Sequence, residues 1–198
     1  MSTRVQDGTG SNYFAKVTPD NLLRTHAFTE PFEDFALFTG ESFNINTGTI
    51  TLTNATATPV LYIENTSEEA DLVISRFLWS LRASTSGSGD STIDVYKNIT
   101  GGTIVSNATA VDMKSSKNVG SGAVPTANIY KGATGSTFTG GTQIVSTLAG
   151  ASSSISITTG VPVIPPGNNV CVVYTPPGSN TSQPCQFIAG LWRRDVLL

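Results

Sequence analysis

The sequence predicts an all-β protein, a jelly-roll-like antiparallel β-sandwich with an extended N-terminal arm. Three observations carry this expectation. Charged residues make up 13% of the chain and hydrophobic ones 38%, whereas a typical globular protein is about 25% charged and helices draw on Glu, Lys and Arg for their exposed faces. β-Branched residues recur in short runs separated by Gly, Pro and Asn, the composition of strands and tight connections. The chain has 198 residues, enough for one core that removes roughly 70% of the unfolded surface from water.

Two regions divide the chain: an aromatic-rich arm over 1–43 and a β-sandwich domain over 44–198. Residues 1–12 are polar and read as a mobile tail. Phe14, Phe28, Phe32, Phe35, Phe38 and Phe43 are six of the nine phenylalanines. Phe28, Phe32 and Phe35 fall at i, i+4 and i+7, a helical spacing. Pro31 suits a first helical turn, Glu33 and Asp34 suit its positive end, and Gly40 suits a stop, which predicts one short helix around 31–38. A helix this short is not stable alone, so its aromatic face has to dock. The anchors expected to bind partners are Tyr13, Phe14, Leu22, Leu23, Phe28, Phe32, Phe35 and Phe38.

From residue 44 onward, strand follows strand. Thr49-Ile50-Thr51-Leu52-Thr53 alternates. Val60 to Ile63 and Leu72 to Trp79 flank a polar turn and predict a hairpin. Thr92 to Tyr96 alternates next, and further strands are expected near 103–106, 109–113, 126–131, 143–148, 154–158, 170–174 and 185–191. About eight short strands with frequent turns fit two packed antiparallel sheets. Val95-Tyr96-Lys97 followed by Gly101-Gly102-Thr103 is echoed by Ile129-Tyr130-Lys131 followed by Gly140-Gly141-Thr142. Two copies are too few for a solenoid, so two similar hairpins is the favoured reading, with a paired Gly-Gly contact surface as the alternative.

Residues able to carry chemistry are sparse. His26 is the only histidine and lies in the arm, where an ordinary polar arm residue is the favoured reading over a general base. Glu30, Glu33, Asp34 and Glu41 cluster, but at an expected helix start, where the dipole explains them. Asp90 and Asp94 flank a strand start and read as solvated strand residues. Cys171 and Cys185 sit on two apolar runs joined by Pro176-Pro177-Gly178-Ser179-Asn180. A hairpin there would place them opposite each other, although two buried thiols is the favoured reading, because cytosolic disulfides are rare. No catalytic residue, cofactor or metal site is therefore expected, and the protein is read as non-enzymatic. The net charge of −3 argues against nucleic acid, which calls for a basic face. No apolar run approaches the ~20 residues of a membrane span. The polar N-terminus lacks a signal-peptide pattern, so synthesis in a host cytoplasm is expected. On that basis the Asn-x-Ser/Thr triplets at Asn54, Asn65, Asn98, Asn107 and Asn180 are read as compositional rather than as glycosylation sites.

A set of strand and turn motifs resembles tailed-bacteriophage virion structural proteins of the capsid decoration, or cement, type. It comprises Ala15-Lys16-Val17, Glu41 before Asn44-Ile45-Asn46-Thr47-Gly48, and Leu61-Tyr62-Ile63-Glu64-Asn65. It continues with Val95-Tyr96-Lys97-Asn98 leading to Gly101-Gly102-Thr103, then Gly140-Gly141-Thr142 and Asn180-Thr181-Ser182. The resemblance implies a homotrimer on the capsid surface of a virion, bound to the major capsid protein lattice and stabilising the head. A tail, collar or fibre-associated protein with a receptor- or glycan-binding surface is the alternative, and a cell-wall glycosidase is a third reading, disfavoured by the weak carboxylate constellation and the lone histidine.

Overall fold

A computed structural model describes residues 4–6, 14–16, 32–82, 90–106, 109–111, 113–150, 154–157, 162–178 and 182–195. The chain forms two compact units, Met1–Pro31 and Phe32–Leu198. In the first, β1 (Arg4–Gln6) pairs antiparallel with β2 (Phe14–Lys16), Val5 standing opposite Ala15. Arg4–Gln6 is thus a strand where a polar tail was expected.

The second unit begins with helix α1 (Phe32–Thr39), followed by β3 (Ser42–Asn46), β4 (Ile50–Leu52), β5 (Thr58–Asn65), β6 (Ala70–Leu81) and β7 (Ser91–Gly101). Helix α2 (Thr103–Ser106), β8 (Thr109–Ala110), β9 (Met113–Ser116), β10 (Ala127–Lys131) and β11 (Thr139–Ala149) come next. The chain closes with β12 (Ser154–Ile157), β13 (Val163–Ile164), β14 (Asn169–Thr175) and β15 (Gln183–Asp195). One sheet runs β11-β7-β14-β5-β10-β8 and the other β12-β6-β15-β3-β9, with β13 added to β6 and β4 to β15. The protein is an all-β sandwich: Ile45, Leu52, Ile74, Trp79 and Phe187 of the β6 sheet share one buried cluster with Leu61, Ile63, Ile93, Val95 and Val172 of the β5 sheet.

Alternation of inward and outward side chains specifies these strands. On β6 the pattern shifts phase once, at the register break between Gly190 and Leu191 of its partner β15. β5 differs, being buried along nearly its whole length, because its outer face is also covered. There Tyr62, Ile99, Cys171 and Val173 pack with Ile104 of α2 and with Tyr96, Tyr130 and Phe138. Tyr62 stacks on Tyr130 with centroids 5.9 Å apart, and Tyr96 meets Phe138 at 4.9 Å. Burial, followed by the nearby Glu64 carboxylate, pushes the Tyr62 hydroxyl up to about 12. Asn98 lets Ile99 join Tyr96 of β7 in this second cluster. Its φ of +54° breaks the alternation, so Ile93 and Val95 face inward while Ile99 faces outward. Asn169 then holds Ile99 in place, accepting from its N–H at 2.9 Å and donating to its carbonyl at 3.2 Å.

The chain crosses between the sheets at most connections among the described residues, and tertiary structure decides three local readings: an expected hairpin is overturned, the favoured pair of buried thiols is found, and an expected strand is a helix. The segments around Val60–Ile63 and Leu72–Trp79 do not form a hairpin: β5 pairs with β10 and β14, whereas β6 pairs with β12, β13 and β15. The polar turn between them is a crossover organised by Asn65, which is fully buried. Its Nδ2 donates to the carbonyls of Ala70 and Ile164, both at 2.8 Å, and its Oδ1 accepts from Ser67 N at 3.0 Å. Cys171 and Cys185 likewise lie in different sheets and different clusters, as two free buried thiols. Third, residues 103–106 form α2 rather than a strand. Gly102 turns the chain at φ +107°, and Thr103 exchanges hydrogen bonds with Thr137 at 3.2 and 2.8 Å, which turns Ile104 onto the outer cluster.

The Gly-Gly echo does not mark two hairpins: β7 leads into α2, β10 pairs with β5 and β8, and the two glycine segments lie side by side instead. β7 and β11 pair with each other, Thr139 opposite Gly101 and Gly140 opposite Ile99. A Cβ on Gly140 would stand 2.5 Å from Thr100 Oγ1, and one on Gly102 would stand 2.4 Å from the Thr137 carbonyl. Glycine at these positions permits positive φ and close backbone approach together.

Candidate interaction surface

The expected helix is present as α1, and Gly40 stops it. Gly40 N donates to Leu37 O at 3.3 Å and Glu41 N to Ala36 O at 2.7 Å, with Gly40 at φ +81°, the Schellman arrangement that satisfies the last carbonyls of a helix. The compact units divide between Pro31 and Phe32, so α1 and Phe43 belong to the larger unit, whereas the sequence reading put the boundary after residue 43. The physical reason is packing: α1 rests against β3 and β15, with Ala36 and Phe43 buried.

Phe38, at the exposed end of α1, is 72% accessible, and Leu37 beside it is 37% accessible. The connection between β9 and β10 is tied to this helix end. Asn118 Nδ2 donates to the Phe38 carbonyl at 3.1 Å, and Asn118 Oδ1 accepts from Gly120 N at 3.0 Å. Lys117 N donates to Ser42 O at 2.6 Å, and Ser121 lies directly over Gly40, whose Cβ would meet its Oγ at 2.4 Å. The tied connection displays Val119, fully exposed, and Val124, 60% exposed. Val124 also lines a cleft of about 120 Å³ with Glu41, Phe43, Leu72, Ala123 and Arg193.

Two ion pairs lie on and beside the neighbouring strands. Arg193 Nη1 lies 3.1 Å from Glu41 Oε1, and Arg194 Nη2 lies 2.6 Å from Asp71 Oδ2. Four exposed apolar side chains, Leu37, Phe38, Val119 and Val124, stand on two segments that are hydrogen-bonded to each other.

Of the expected anchors, Phe38 is on this surface, and Phe32 and Phe35 lie on the same helix. Phe14 opens β2 in the other compact unit. Tyr13, Leu22, Leu23 and Phe28 fall outside the described residues, as does His26. Leu37, Val119 and Val124 were missed. The available signal was Val119 itself, an apolar residue set between the turn formers Asn118 and Gly120.

Elsewhere, Asp94 accepts from Gln143 Nε2 at 3.0 Å, and Asp90 is exposed. Among the described residues, no three His, Cys, Asp or Glu side chains gather as metal ligands. Among them, too, no helix is long and apolar enough to cross a membrane. No protein family, curated protein or solved structure matches this chain.

Proposed function

We propose that this chain is a non-enzymatic virion structural protein, a capsid decoration protein that binds the major capsid protein lattice and stabilises the head. The observation that carries the reading is the exposure of Leu37, Phe38, Val119 and Val124 on α1 and on the β9–β10 connection that Asn118 ties to the end of α1. Burying one phenylalanine contributes about 1.5–3 kcal/mol. Repeated over a symmetric lattice, such contacts add up without requiring any one of them to be tight.

The strand order supports the same reading. β3 with β4, β6, the β12–β13 pair and β15 occupy one sheet, while β5, β7, β11 and β14 occupy the other. We read this order as two interlocked Greek keys, a jelly roll, with α2 to β10 as an insertion between β7 and β11. Jelly rolls are common in capsid proteins and also in lectins, so the architecture is compatible with the role without defining it. Several copies, in a trimer for instance, would present the apolar surface repeatedly.

Binding of the full-length protein to assembled capsids tests the proposal. Phe38→Asp should reduce capsid occupancy strongly while leaving the thermal midpoint unchanged. Undiminished occupancy would remove this surface from the proposal. Binding to tails instead of heads would favour a tail, collar or fibre-associated role.

A further inference from the structure

Among the described residues, one edge of β11 has no strand paired to it: β11 closes one end of its sheet and pairs only with β7. The other terminal strands are short: β8 has two residues, and β9 and β12 have four each. β11 has eleven residues, Thr139 to Ala149, with no charge and no proline. An edge of that length exposes unpaired backbone donors and acceptors, which proteins usually protect with charge, proline, bulges or brevity.

β11 is protected over only half its length. Register breaks lie between Thr139 and Gly140 and between Gln143 and Val145, and Gly140 and Gly141 both have positive φ. These irregularities bend the first half away from a straight edge. From Val145 to Ala149 the ladder is regular, each residue matched in turn to Val95, Asp94, Ile93, Thr92 and Ser91. Leu148, in this stretch, is 67% exposed, and Ile144 just before it is 38% exposed.

We propose that Val145–Ala149 pairs antiparallel with the same segment of a second copy of this chain across a twofold axis at Thr147. The segment is complementary to itself. In this register Val145 faces Ala149 of the second copy, Ser146 faces Leu148, and Thr147 faces Thr147. Thr–Thr and apolar cross-strand pairs are favourable, and a neutral strand meets no like charge in its mate. Pairing covers Leu148 and continues the sheet from one copy into the next. Five residue pairs bury much less than the roughly 1,200 Å² of a stable interface, so the contact is weak in solution and gains from high local concentration. Being twofold, it is compatible with threefold association of the body, in which case it joins two trimers. It does not depend on where the protein is housed.

Sedimentation equilibrium of the full chain, from about micromolar to about millimolar, tests the inference. The wild type should show concentration-dependent doubling of its mass. Ser146 is exposed, and Ser146→Lys and Ser146→Glu should each fold normally and weaken the doubling at least about tenfold by like-charge repulsion. An equimolar mixture of the two variants should restore it. Amide exchange at Val145–Ala149 should slow in the doubled species only. A constant mass for the wild type, doubling insensitive to Ser146→Lys, or a mixture that fails to restore it would each overturn the proposal.

Discussion

Asn65→Ala should be among the most damaging single substitutions on the described surface of the core. The side chain is fully buried and serves three backbone groups: the carbonyls of Ala70 and Ile164, each at 2.8 Å, and the N–H of Ser67 at 3.0 Å. Ala70 and Ile164 are themselves buried, so water does not readily replace the lost donor. A net hydrogen bond contributes about 1 kcal/mol, and each buried group left unsatisfied costs about 1–3 kcal/mol. Two stranded carbonyls and a partly accessible N–H thus predict a loss of about 3–5 kcal/mol. In a domain of this size 1 kcal/mol moves the thermal midpoint by about 2–4 °C, so a fall of roughly 10–15 °C is expected. Asn65→Asp should be as damaging, because it sets a carboxylate oxygen against two carbonyls. Urea unfolding of both variants beside wild type is the assay. A loss below about 1 kcal/mol for Asn65→Ala would refute the view that this side chain holds the β5–β6 crossover to β13.

Three further outcomes follow from the same structure. Gly132→Ala should destabilise by about 3 kcal/mol, since its Cβ would stand 1.8 Å from the Pro59 carbonyl; calorimetry compares it with the wild type. Ile104→Ala should cost about 2–5 kcal/mol by opening the outer cluster around Tyr62 and Cys171, and should raise amide exchange near Ile99 and α2 first. The third concerns alkali: burial pushes the Cys171 and Cys185 thiols from 9.0 up to about 12. The folded chain then keeps protons that the unfolded chain releases. Stability is therefore intact below about pH 9 and falls toward pH 12, by about 1.4 kcal/mol per pH unit for each thiol. Replacing both by alanine should flatten that fall, as read from urea unfolding at about pH 8.5 and 10.5.

The strands were legible because alternation and turn residues are local signals. Ile50–Leu52, Ala127–Lys131 and Asn169–Thr175 stand close to their expected places, and the helix stop at Gly40 follows from glycine's access to positive φ. Partner choice was not legible. Val60–Ile63 and Leu72–Trp79 look like a hairpin from sequence, yet they separate into two sheets, because each finds its partners roughly a hundred residues away in β14 and β15. Thr103-Ile104-Val105-Ser106 has a strand's composition and forms a helix, because a tertiary site on the outer sheet face favours Ile104 there over its intrinsic preference. The interaction surface was half visible. Phe38 belongs to a conspicuous run of phenylalanines, whereas Val119 and Val124 lie on a connection brought to the helix end by tertiary contacts such as the Asn118 bond.

The virion assignment rests on strand and turn motifs together with an apolar surface suited to assembly. Electron cryo-microscopy of intact particles, with this chain's density located, tests it most directly. The account predicts density on the capsid exterior at lattice-matched occupancy, with the Phe38, Val119 and Val124 surface turned toward a neighbouring protein. Particles lacking this chain, or density confined to the tail, would contradict it.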